Sequence, residues 1–493
     1  MAIKRYFADA DNTITNAFKE DLSTRGTGSN MGQADILEVF SIYGQGSDTS
    51  SELSRFLIKF PINQISAGTL PASGVSYYLK LFNARHSQTL PKNYKLDILA
   101  VSASWEEGNG LDMEGYTDET YGGIGSNWVS ASSAASWTSE GGDYHASPVF
   151  EQSFDIGNED LEVNVTTLVD QWIAGTKENY GFGIKLSSSY EASSSSNPSG
   201  AEFSYYTKKF FARSSEYYYD RPVLEARWNS TRRDNRGNFY FSSSLAPALE
   251  NLNTLYMYNY IRGNLRDIAG DSDARPVLNL YYSSGSAPEG TAVYFRNSSN
   301  AAVNFLSASR ESKGIYKATF SVTSSAVTST YPYLVDVWTM SGSELHTGSV
   351  IIPNNHSFSN HNPNTKYVMN VKNLKPKYIR GQTERFRLYV REKNWSPNIY
   401  TVAQSTPKNL LIESASYQIC RAPDQKLVIP YGTGSTAETV LSYDSDGNYF
   451  DLDMDLLEAG YTYEIKFSFY EDSLSSYREQ PYKFKIRVEQ DEY

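Results

Sequence analysis

The sequence contains a single cysteine, Cys420, among its 493 residues. One cysteine cannot form an internal disulfide, and it excludes both a closed cysteine metal site and a CxxC redox motif. Long apolar runs are also missing, since none approaches the ~20 residues that a helix needs to cross a membrane. The opening segment, residues 1–20, starts with basic residues but has no apolar stretch behind them. It therefore predicts a chain that is not secreted by a signal peptide and has no membrane partner.

Basic residues are in the minority. The 44 lysines and arginines stand against 56 aspartates and glutamates, which gives a net charge of −12. Nucleic-acid binding depends on clustered lysine and arginine, so this balance predicts no nucleic-acid partner. Catalytic motifs are missing as well, because the sequence has no HExxH, Walker A, GxSxG or Rossmann fingerprint. These absences predict a protein that is not an enzyme and needs no cofactor.

Aromatic residues, by contrast, are abundant and alternate with polar residues. They make up 14% of the chain, with 39 tyrosines and 23 phenylalanines. Strict alternation of apolar and polar residues marks strands with one buried face, and it recurs at 316–322, 461–469 and 482–488. Because these strands are short and turn-rich segments separate them, the fold class is predicted to be all-β and built from β-sandwiches.

One segment, 166–175, departs from the strand pattern. Its apolar residues fall on one face of a helix, at Leu168, Val169, Trp172 and Ile173. Thr166 is expected to be the N-cap and Gly175 the left-handed residue that ends the helix. The pattern predicts a short helix that closes one edge of the first sandwich, with Trp172 as its anchor.

Two serine-rich stretches, 130–142 and 187–200, contain few apolar residues. They are predicted to be long loops without a core of their own, either mobile or bound to a partner. We therefore expect the domain that carries them to be the part that attaches to a partner.

Domain boundaries are predicted where proline, glycine and serine cluster. The clearest cluster is 283–290 (SSGSAPEG), and a second lies at 374–381 (LKPKYIRG). They divide the chain into a jelly-roll-like β-sandwich at 1–283 and two immunoglobulin-like β-sandwiches at 284–377 and 378–493.

Several motifs in the first 230 residues follow one another with a recognisable order and spacing. They are Arg55–Phe60 (RFLIKF), Trp105–Glu107 (WEE), Val163–Gly175 (VNVTTLVDQWIAG) and Arg221–Trp228 (RPVLEARW). This series resembles the DNRLRE domain, a jelly-roll-like β-sandwich related to carbohydrate-binding modules. The resemblance implies structural roles for Trp105 and Trp172, and it implies no chemistry of the fold itself. Such domains occur on secreted bacterial enzymes and on bacteriophage structural proteins.

The C-terminal third resembles an immunoglobulin or fibronectin type III module. Its segment Leu457–Tyr463 (LEAGYTY) has the spacing of a tyrosine corner, in which the hydroxyl of Tyr463 would hydrogen-bond back to the backbone. Small sandwiches of this type are common on phage capsid and tail proteins, so this resemblance agrees with the first one.

Two polar segments carry residue types that bind metals. Asp444, Asp446 and Asp451 resemble the opening of a calcium loop, because calcium takes several oxygen ligands around a sharp turn. The glutamate expected at the twelfth loop position is missing, and Asp-Gly between two strands is equally a hairpin turn. His356 and His361 lack a third ligand at a recognisable spacing, so a solvated loop is favoured there.

Acidic residues follow Trp105 directly. Glu106 and Glu107 are the first of them, and further acids come soon after at Asp112, Glu114, Asp118 and Glu119. Two carboxylates can form a glycosidase pair. A structural role is favoured, because the resemblance makes the Trp-Glu pair part of the fold and acidic loops are frequent on an acidic protein.

Tyrosines form the last set of candidates, at Tyr217, Tyr218, Tyr256, Tyr258 and Tyr260. Exposed aromatic rings stack on sugars or anchor protein interfaces, because they offer a large contact area at low entropic cost. The alternative is that these rings cover or belong to a core. Interface use and glycan binding are therefore both open for this set.

The leading prediction is a non-enzymatic structural protein of a bacteriophage virion, in the head decoration, neck or tail. It would be made in the host cytoplasm, located in the virion, and in contact with other virion proteins and copies of itself. The alternative is a bacterial carbohydrate-binding or adhesion protein, for which a glycan would be the partner.

Overall fold

The computed structural model describes residues 2–43, 51–66, 70–71, 73–86, 90–111, 115–120, 123–194, 197–355, 365–395 and 409–490. The chain divides into a first unit, residues 2–229, and a second unit, residues 230–493. The predicted all-β fold class is confirmed: the first unit is a jelly-roll-like sandwich, and the second contains two immunoglobulin-like sandwiches. None of the helices in the described ranges has the length and apolarity needed to cross a membrane.

The first unit consists mainly of strands joined by long loops. Its strands are β1 (Ile3–Phe7), β2 (Ala10–Thr15), β3 (Ile36–Tyr43), β4 (Ser51–Lys59), β5 (Ser76–Leu81), β6 (Tyr94–Val101), β7 (Ser130–Ser132), β8 (Ala135–Ser136), β9 (Tyr144–Phe154), β10 (Leu161–Asn164), β11 (Phe182–Leu186), β12 (Tyr205–Phe211) and β13 (Val223–Arg227). Its helices are α1 (Ile62–Ser66), α2 (Thr166–Ile173) and a 3-10 turn at Tyr218–Asp220.

Two antiparallel sheets enclose the core of the first unit. The small sheet has the order β1-β13-β5-β10, and the large sheet has the order β12-β3-β4-β11-β6-β9, with β2 also paired to β4. Alternate residues of both sheets enter one buried cluster, for example Leu79 and Leu224 from the small sheet and Phe56 and Phe182 from the large sheet. Packing two inner faces in this way is the basis of a β-sandwich. Loops of the first unit pack on the outer face of the large sheet.

Helix α2 lies against this core as predicted, although its first turn differs. Leu168, Val169 and Trp172 are buried, while Ile173 is 38% exposed. The N-cap is Val165 rather than Thr166, because the Thr166 hydroxyl donates to Asn164 Oδ1 and accepts the backbone N–H of Tyr77. The helix is thereby tied to β5 through its first residue. Gly175 has a φ of +68° and ends the helix as expected.

The serine-rich stretches are packed, which corrects the prediction that they have no core of their own. Ala131 and Trp137 from the first stretch and Ala192 from the second are buried. They join a cluster on the outer face of the large sheet that includes Leu57 and Trp128. Two tryptophans in otherwise polar loops supply enough apolar area to cover the sheet.

The second unit also consists mainly of strands. Its strands are β14 (Asn253–Tyr258), β15 (Tyr260–Ile261), β16 (Asn264–Leu265), β17 (Val277–Ser283), β18 (Glu289–Ala292), β19 (Phe295–Asn297), β20 (Ala302–Val303), β21 (Leu306–Ser307), β22 (Ser309–Ser312), β23 (Ile315–Ser321), β24 (Tyr333–Met340), β25 (Ser343–Thr347), β26 (Tyr367–Val371), β27 (Lys377–Ile379), β28 (Thr383–Glu392), β29 (Ala415–Arg421), β30 (Leu427–Ile429), β31 (Ser442–Asp444), β32 (Gly447–Asp453), β33 (Thr462–Glu471), β34 (Ser476–Glu479) and β35 (Phe484–Glu489). Its 3-10 turns are Asn235–Gly237, Ile268–Gly270, Ser324–Ala326, Met454–Leu456 and Asp472–Leu474.

These strands form two sandwiches. The second sandwich pairs a sheet of order β14-β23-β19-β20, with β22 on β23, with a sheet of order β18-β17-β24-β25, with β21 on β17. The third sandwich pairs the order β26-β28-β32-β31 with the order β27-β35-β33-β29-β30, with β34 on β33. Strands β27 and β35 are parallel, and the other pairs are antiparallel. Leu280, Phe320 and Trp338 lie in the core of the second sandwich.

The structure corrects both predicted domain boundaries. Segment 283–290 is the hairpin connection between β17 and β18, not a linker, and β17 pairs with β24 along its whole length. The jelly-roll-like sandwich therefore ends at residue 229 rather than 283. The boundary at 377/378 lies inside β27, whose partner β35 belongs to the third sandwich. Proline, glycine and serine cluster in hairpin turns as readily as in linkers, which explains the first error.

A tyrosine corner is present in the third sandwich. The Tyr463 hydroxyl donates a 2.7 Å hydrogen bond to the Glu458 carbonyl, as the spacing predicts. The Tyr463 side chain is fully buried at the start of β33. This hydrogen bond therefore fixes the backbone at Glu458, just before β33, to the beginning of that strand.

Tyr463→Phe is expected to lower the free energy of unfolding of the third sandwich by about 1–3 kcal/mol, because the Glu458 carbonyl loses its buried donor. Urea denaturation of the full chain measures this change. The matched control is Tyr461→Phe, because Tyr461 is partly exposed two residues earlier. An equal effect of the two substitutions would contradict the prediction.

Candidate functional site

A cleft of about 670 Å³ lies over the outer face of the large sheet. Its floor contains Arg55 of β4, Leu99 of β6, Tyr144 of β9 and Lys185 of β11. Arg55, Leu99 and Lys185 alternate with core residues along their strands, so their side chains leave the sheet on the side away from the sandwich core. Tyr144 packs against the cluster on that outer side. The loop before β9 and the loop after β11 form the walls.

A buried ion pair lies at the centre of the floor. Arg55 Nε and Nη2 donate to the two carboxylate oxygens of Glu191, each at 2.9 Å, and Arg55 Nη1 donates to the Gly141 carbonyl at 3.0 Å. The guanidinium also lies 5.3 Å from the ring centroid of Trp128. Both charged groups are buried, so each satisfies the other where water cannot. The pair attaches both wall loops to β4.

Burial shifts the titration of the groups around this pair. It raises the pKa of Tyr144 to about 12, and the Tyr144 hydroxyl donates to the Gly141 carbonyl at 2.8 Å. Burial, together with the Arg55 charge, lowers the pKa of Lys185, and burial raises the pKa of the adjacent Asp97 to about 6. The Tyr144 ring lies close to Gly183, where a Cβ would collide with Cε1 of the ring. The cleft thus offers hydrogen-bond donors and acceptors.

The predicted acidic pair near Trp105 is used for structure. Trp105 Nε1 donates to the Tyr180 carbonyl at 2.7 Å, and its ring packs against the outer cluster. Glu106 accepts two backbone N–H groups. Glu107 holds the guanidinium of Arg213 with both carboxylate oxygens, each at 2.5 Å. The two glutamates therefore have separate structural partners, while Asp112 and Glu114 lie outside the described residues.

The predicted calcium ligands lie on the hairpin β31–β32. Asp444 pairs through both carboxylate oxygens with Arg387, and Asp451 pairs in the same way with Arg385. Asp446 occupies the turn, where its backbone N–H donates to Asp444 Oδ1. In the described ranges, no three His, Cys, Asp or Glu side chains are arranged to hold a metal ion. The hairpin is therefore the structure of this segment, while His356 and His361 lie outside the described residues.

We expect EDTA to leave the Tm of the full chain unchanged, because Arg385 and Arg387 already neutralise the hairpin carboxylates. Differential scanning calorimetry with and without EDTA measures this. A fall in Tm that added calcium reverses, and that Asp444→Asn abolishes, would instead make the hairpin a calcium site.

The tyrosines of the second sandwich form a stacked row. Ring centroids are 6.4 Å apart between Tyr256 and Tyr258 and again between Tyr258 and Tyr260. Exposure rises along the row from 7% to 36% to 60%. Tyr256 is thus buried, which agrees with the alternative that this ring belongs to a core. Tyr260 presents its ring to solvent.

Tyr217 and Tyr218, the remaining two predicted tyrosines, also differ in exposure. Tyr217 is 55% exposed and packs its edge on Phe211 at a centroid distance of 5.5 Å. Tyr218 is half-buried against Phe7 at 5.1 Å. Only part of each ring is therefore available to a partner, and Tyr217 offers the larger share.

Sequence reasoning missed a buried acid under the N-terminal strands. Asp11 is fully buried, its Oδ2 accepts the Arg213 backbone N–H at 2.7 Å, and its Oδ1 has no hydrogen-bond partner among the described residues. Burial raises the pKa of Asp11 to about 7, and the nearby Glu107 carboxylate adds to this rise. The only sequence signal was an aspartate inside a strand pattern at 10–15.

Asp11 is expected to contribute a fall in the free energy of unfolding of the first unit as the pH rises from 3.8 to about 7. Folded Asp11 keeps its proton up to about pH 7, whereas the unfolded chain loses it near 3.8, so the stabilisation from this group is lost across that window. Urea denaturation at a series of pH values measures the slope. Asp97, with a pKa raised to about 6, acts in the same direction, whereas His86, with a pKa lowered to about 4, acts in the opposite direction. The test therefore compares Asp11→Asn with the wild type, whose free energy of unfolding should fall more with rising pH. Identical slopes for the two proteins would contradict the prediction.

No protein-family model matches the sequence, and no curated protein is similar to it. Among solved structures, the adhesin InvE of Yersinia pseudotuberculosis is 10% identical at a TM-score of 0.15, over 48% of this chain and 54% of the adhesin. A chimeric titin Z1Z2 tandem is 12% identical at a TM-score of 0.14, over 44% of this chain and 85% of the tandem. The α-2-macroglobulin of Escherichia coli is 8% identical at a TM-score of 0.16, over 99% of this chain and 29% of the α-2-macroglobulin. The chain spans about half the length of the adhesin, and likenesses at these scores carry no argument about function.

Proposed function

We propose that this protein is a non-enzymatic structural protein of a bacteriophage virion that acts through protein–protein contacts. The observation that carries the proposal is a contrast between charged and aromatic side chains. The acids that could have served chemistry, such as Glu107, Asp444 and Asp451, are each held by an arginine. Tyr217 and Tyr260, in contrast, present more than half of their surface to solvent. Large exposed aromatic rings are typical anchors of protein interfaces.

Strand edges supply a second means of contact. Strand β9 lies at one end of the large sheet among the described strands, and it is 11 residues long. A long edge strand offers backbone groups to which a neighbouring chain can add a strand. A particle with cyclic or icosahedral symmetry provides many identical neighbours for such contacts. The proposed partners are therefore other virion proteins and copies of this chain, assembled after synthesis in the host cytoplasm.

Attachment to the particle is assigned to the exposed aromatics rather than to the serine-rich loops. Those loops already pack Trp137 and Ala192 against the large sheet, so they do not need a partner in order to be covered. Tyr217 lies in the first unit and Tyr260 in the second, which gives each unit its own anchor.

Mass spectrometry of purified particles and substitution of the anchors test this proposal. Tyr217→Ser and Tyr260→Ser, made together in the full chain, are expected to reduce incorporation into particles at least several-fold. The matched control is the pair Tyr217→Phe and Tyr260→Phe, which keeps the rings and should incorporate normally. Absence of the full-length protein from every particle would end the virion proposal.

The cleft over the large sheet supports a second candidate, a bacterial carbohydrate-binding or adhesion protein. Its volume suits a small ligand, and its polar lining could hydrogen-bond sugar hydroxyls. A glycan array with the full chain tests this function. Binding to a defined glycan that Lys185→Ala removes, and that Lys95→Ala outside the cleft leaves intact, would favour this candidate over the first.

A further inference from the structure

A lysine lies inside the core of the first unit. Lys208 of β12 is 0% exposed, and its side chain points to the same side of the strand as the core residue Phe210. The ammonium nitrogen is 5.0 Å from the ring centroid of Phe154 and 5.1 Å from that of Phe210. Lysine is almost never fully buried unless a charged partner accompanies it, so this position requires an explanation.

The acceptors around the Lys208 amine are all neutral. Nζ donates to Asn83 Oδ1 at 2.6 Å, to the Gly157 carbonyl at 2.9 Å and to the Glu159 carbonyl at 2.7 Å. Burial lowers the pKa of Lys208 to about 8, although the charges of Glu159 and Asp160 oppose this shift. A larger share of the side chain is therefore neutral amine near neutral pH than for a lysine in water, and the neutral amine is the nucleophilic form.

Two contacts fix the backbone of Asn83 next to this amine. Its backbone N–H donates to Asp160 Oδ1 at 2.7 Å, and Asn83 forms an isolated antiparallel bridge with Phe210. The 2.6 Å hydrogen bond from Lys208 Nζ to Oδ1 then holds the carboxamide at the amine. Holding two reacting groups in contact converts an improbable encounter into an effectively intramolecular step.

We propose that Lys208 and Asn83 form an intramolecular isopeptide bond. The Lys208 nitrogen bonds to Cγ of Asn83, the bond from Cγ to Nδ2 breaks, and a proton from the amine passes to Nδ2, so that one ammonia leaves. No oxidant or cofactor is required. Asp160 is a positioning residue for Asn83 in this step.

The bond would connect the two sheets of the sandwich covalently. Asn83 follows β5 of the small sheet, Lys208 belongs to β12 of the large sheet, and 125 positions separate them in the sequence. Crosslinks that close long loops restrict the unfolded chain most. A chain with one cysteine cannot form a disulfide for this purpose, whereas an isopeptide bond needs no oxidising compartment.

Mass spectrometry of the purified full chain tests the proposal. After incubation at mildly alkaline pH, the intact mass is expected to be lower than the sequence mass by one ammonia. A tryptic digest should yield a branched peptide that contains both Asn83 and Lys208. Lys208→Arg and Asn83→Ala should each restore the full sequence mass, and Lys209→Arg, one residue further along β12, should keep the loss.

Two outcomes would overturn the proposal. One is an intact mass equal to the sequence mass after that incubation, with Asn83 and Lys208 recovered in separate peptides. The other is an ammonia loss without the branched peptide, because an asparagine that cyclises to a succinimide loses the same mass. Both are read on the wild-type protein, so the test does not depend on the folding of any variant.

Discussion

Trp172→Ala is expected to lower the free energy of unfolding of the first unit by about 3–5 kcal/mol, the usual cost of removing a buried aromatic side chain. The Trp172 ring is buried and meets the ring of Phe182 edge-on at a centroid distance of 4.8 Å. Phe182 lies on β11 of the large sheet, so the substitution would leave a cavity between α2 and that sheet. Urea denaturation of the full chain measures the change, because five of the seven tryptophans lie in the first unit and report its unfolding.

Ile173→Ala is the matched control for this experiment. Ile173 is the next residue of the same helix, and its side chain is 38% exposed. Its truncation removes apolar atoms without opening a cavity, so a much smaller shift is expected. A denaturation midpoint that Trp172→Ala leaves unchanged would show that α2 does not hold the sandwich together.

Arg55→Met is expected to destabilise the first unit by about 3–5 kcal/mol, because it leaves the Glu191 carboxylate buried without its partner. The two side chains are 136 positions apart in the sequence and share two hydrogen bonds of 2.9 Å. Urea denaturation of the full chain measures the change.

Two further variants test whether the loss of stability comes from the stranded buried charge or from lost packing. Adding Glu191→Met to Arg55→Met removes the stranded carboxylate and should recover most of the lost stability. Lys95→Met breaks a solvent-exposed pair with Glu151 in the same sheet and should leave the midpoint nearly unchanged. Equal losses for Arg55→Met and for the double variant would contradict this explanation.

Local patterns predicted the secondary structure of this protein better than its division into domains. The alternation at 316–322 and 461–469 corresponds to β23 and β33, and the helical pattern around Trp172 corresponds to α2. In contrast, segment 283–290 gave the same signal as a linker but is a hairpin. A turn and a linker use the same residues, and the pairing of β17 with β24 distinguishes them.

The candidate site was less predictable than the fold. Sequence reasoning selected Asp444 and Asp451 for their spacing, but arginines on β28 neutralise both of them. It did not select Arg55, Glu191 or Lys208, because no residue near them in the sequence indicates which residues they contact. Their chemistry arises from neighbours on other strands.

The sequence by itself determined the all-β class, the helix at Trp172 and the tyrosine corner at Tyr463, because each depends on patterns within short stretches of the sequence. Only the tertiary structure decided that the serine-rich loops cover the large sheet, that Tyr256 is buried and that Lys208 contacts Asn83. These features depend on which strands become neighbours, and those strands lie far apart in the sequence. Burial and charge pairing act through space, so they follow the assembled sheets rather than the order of residues along the chain.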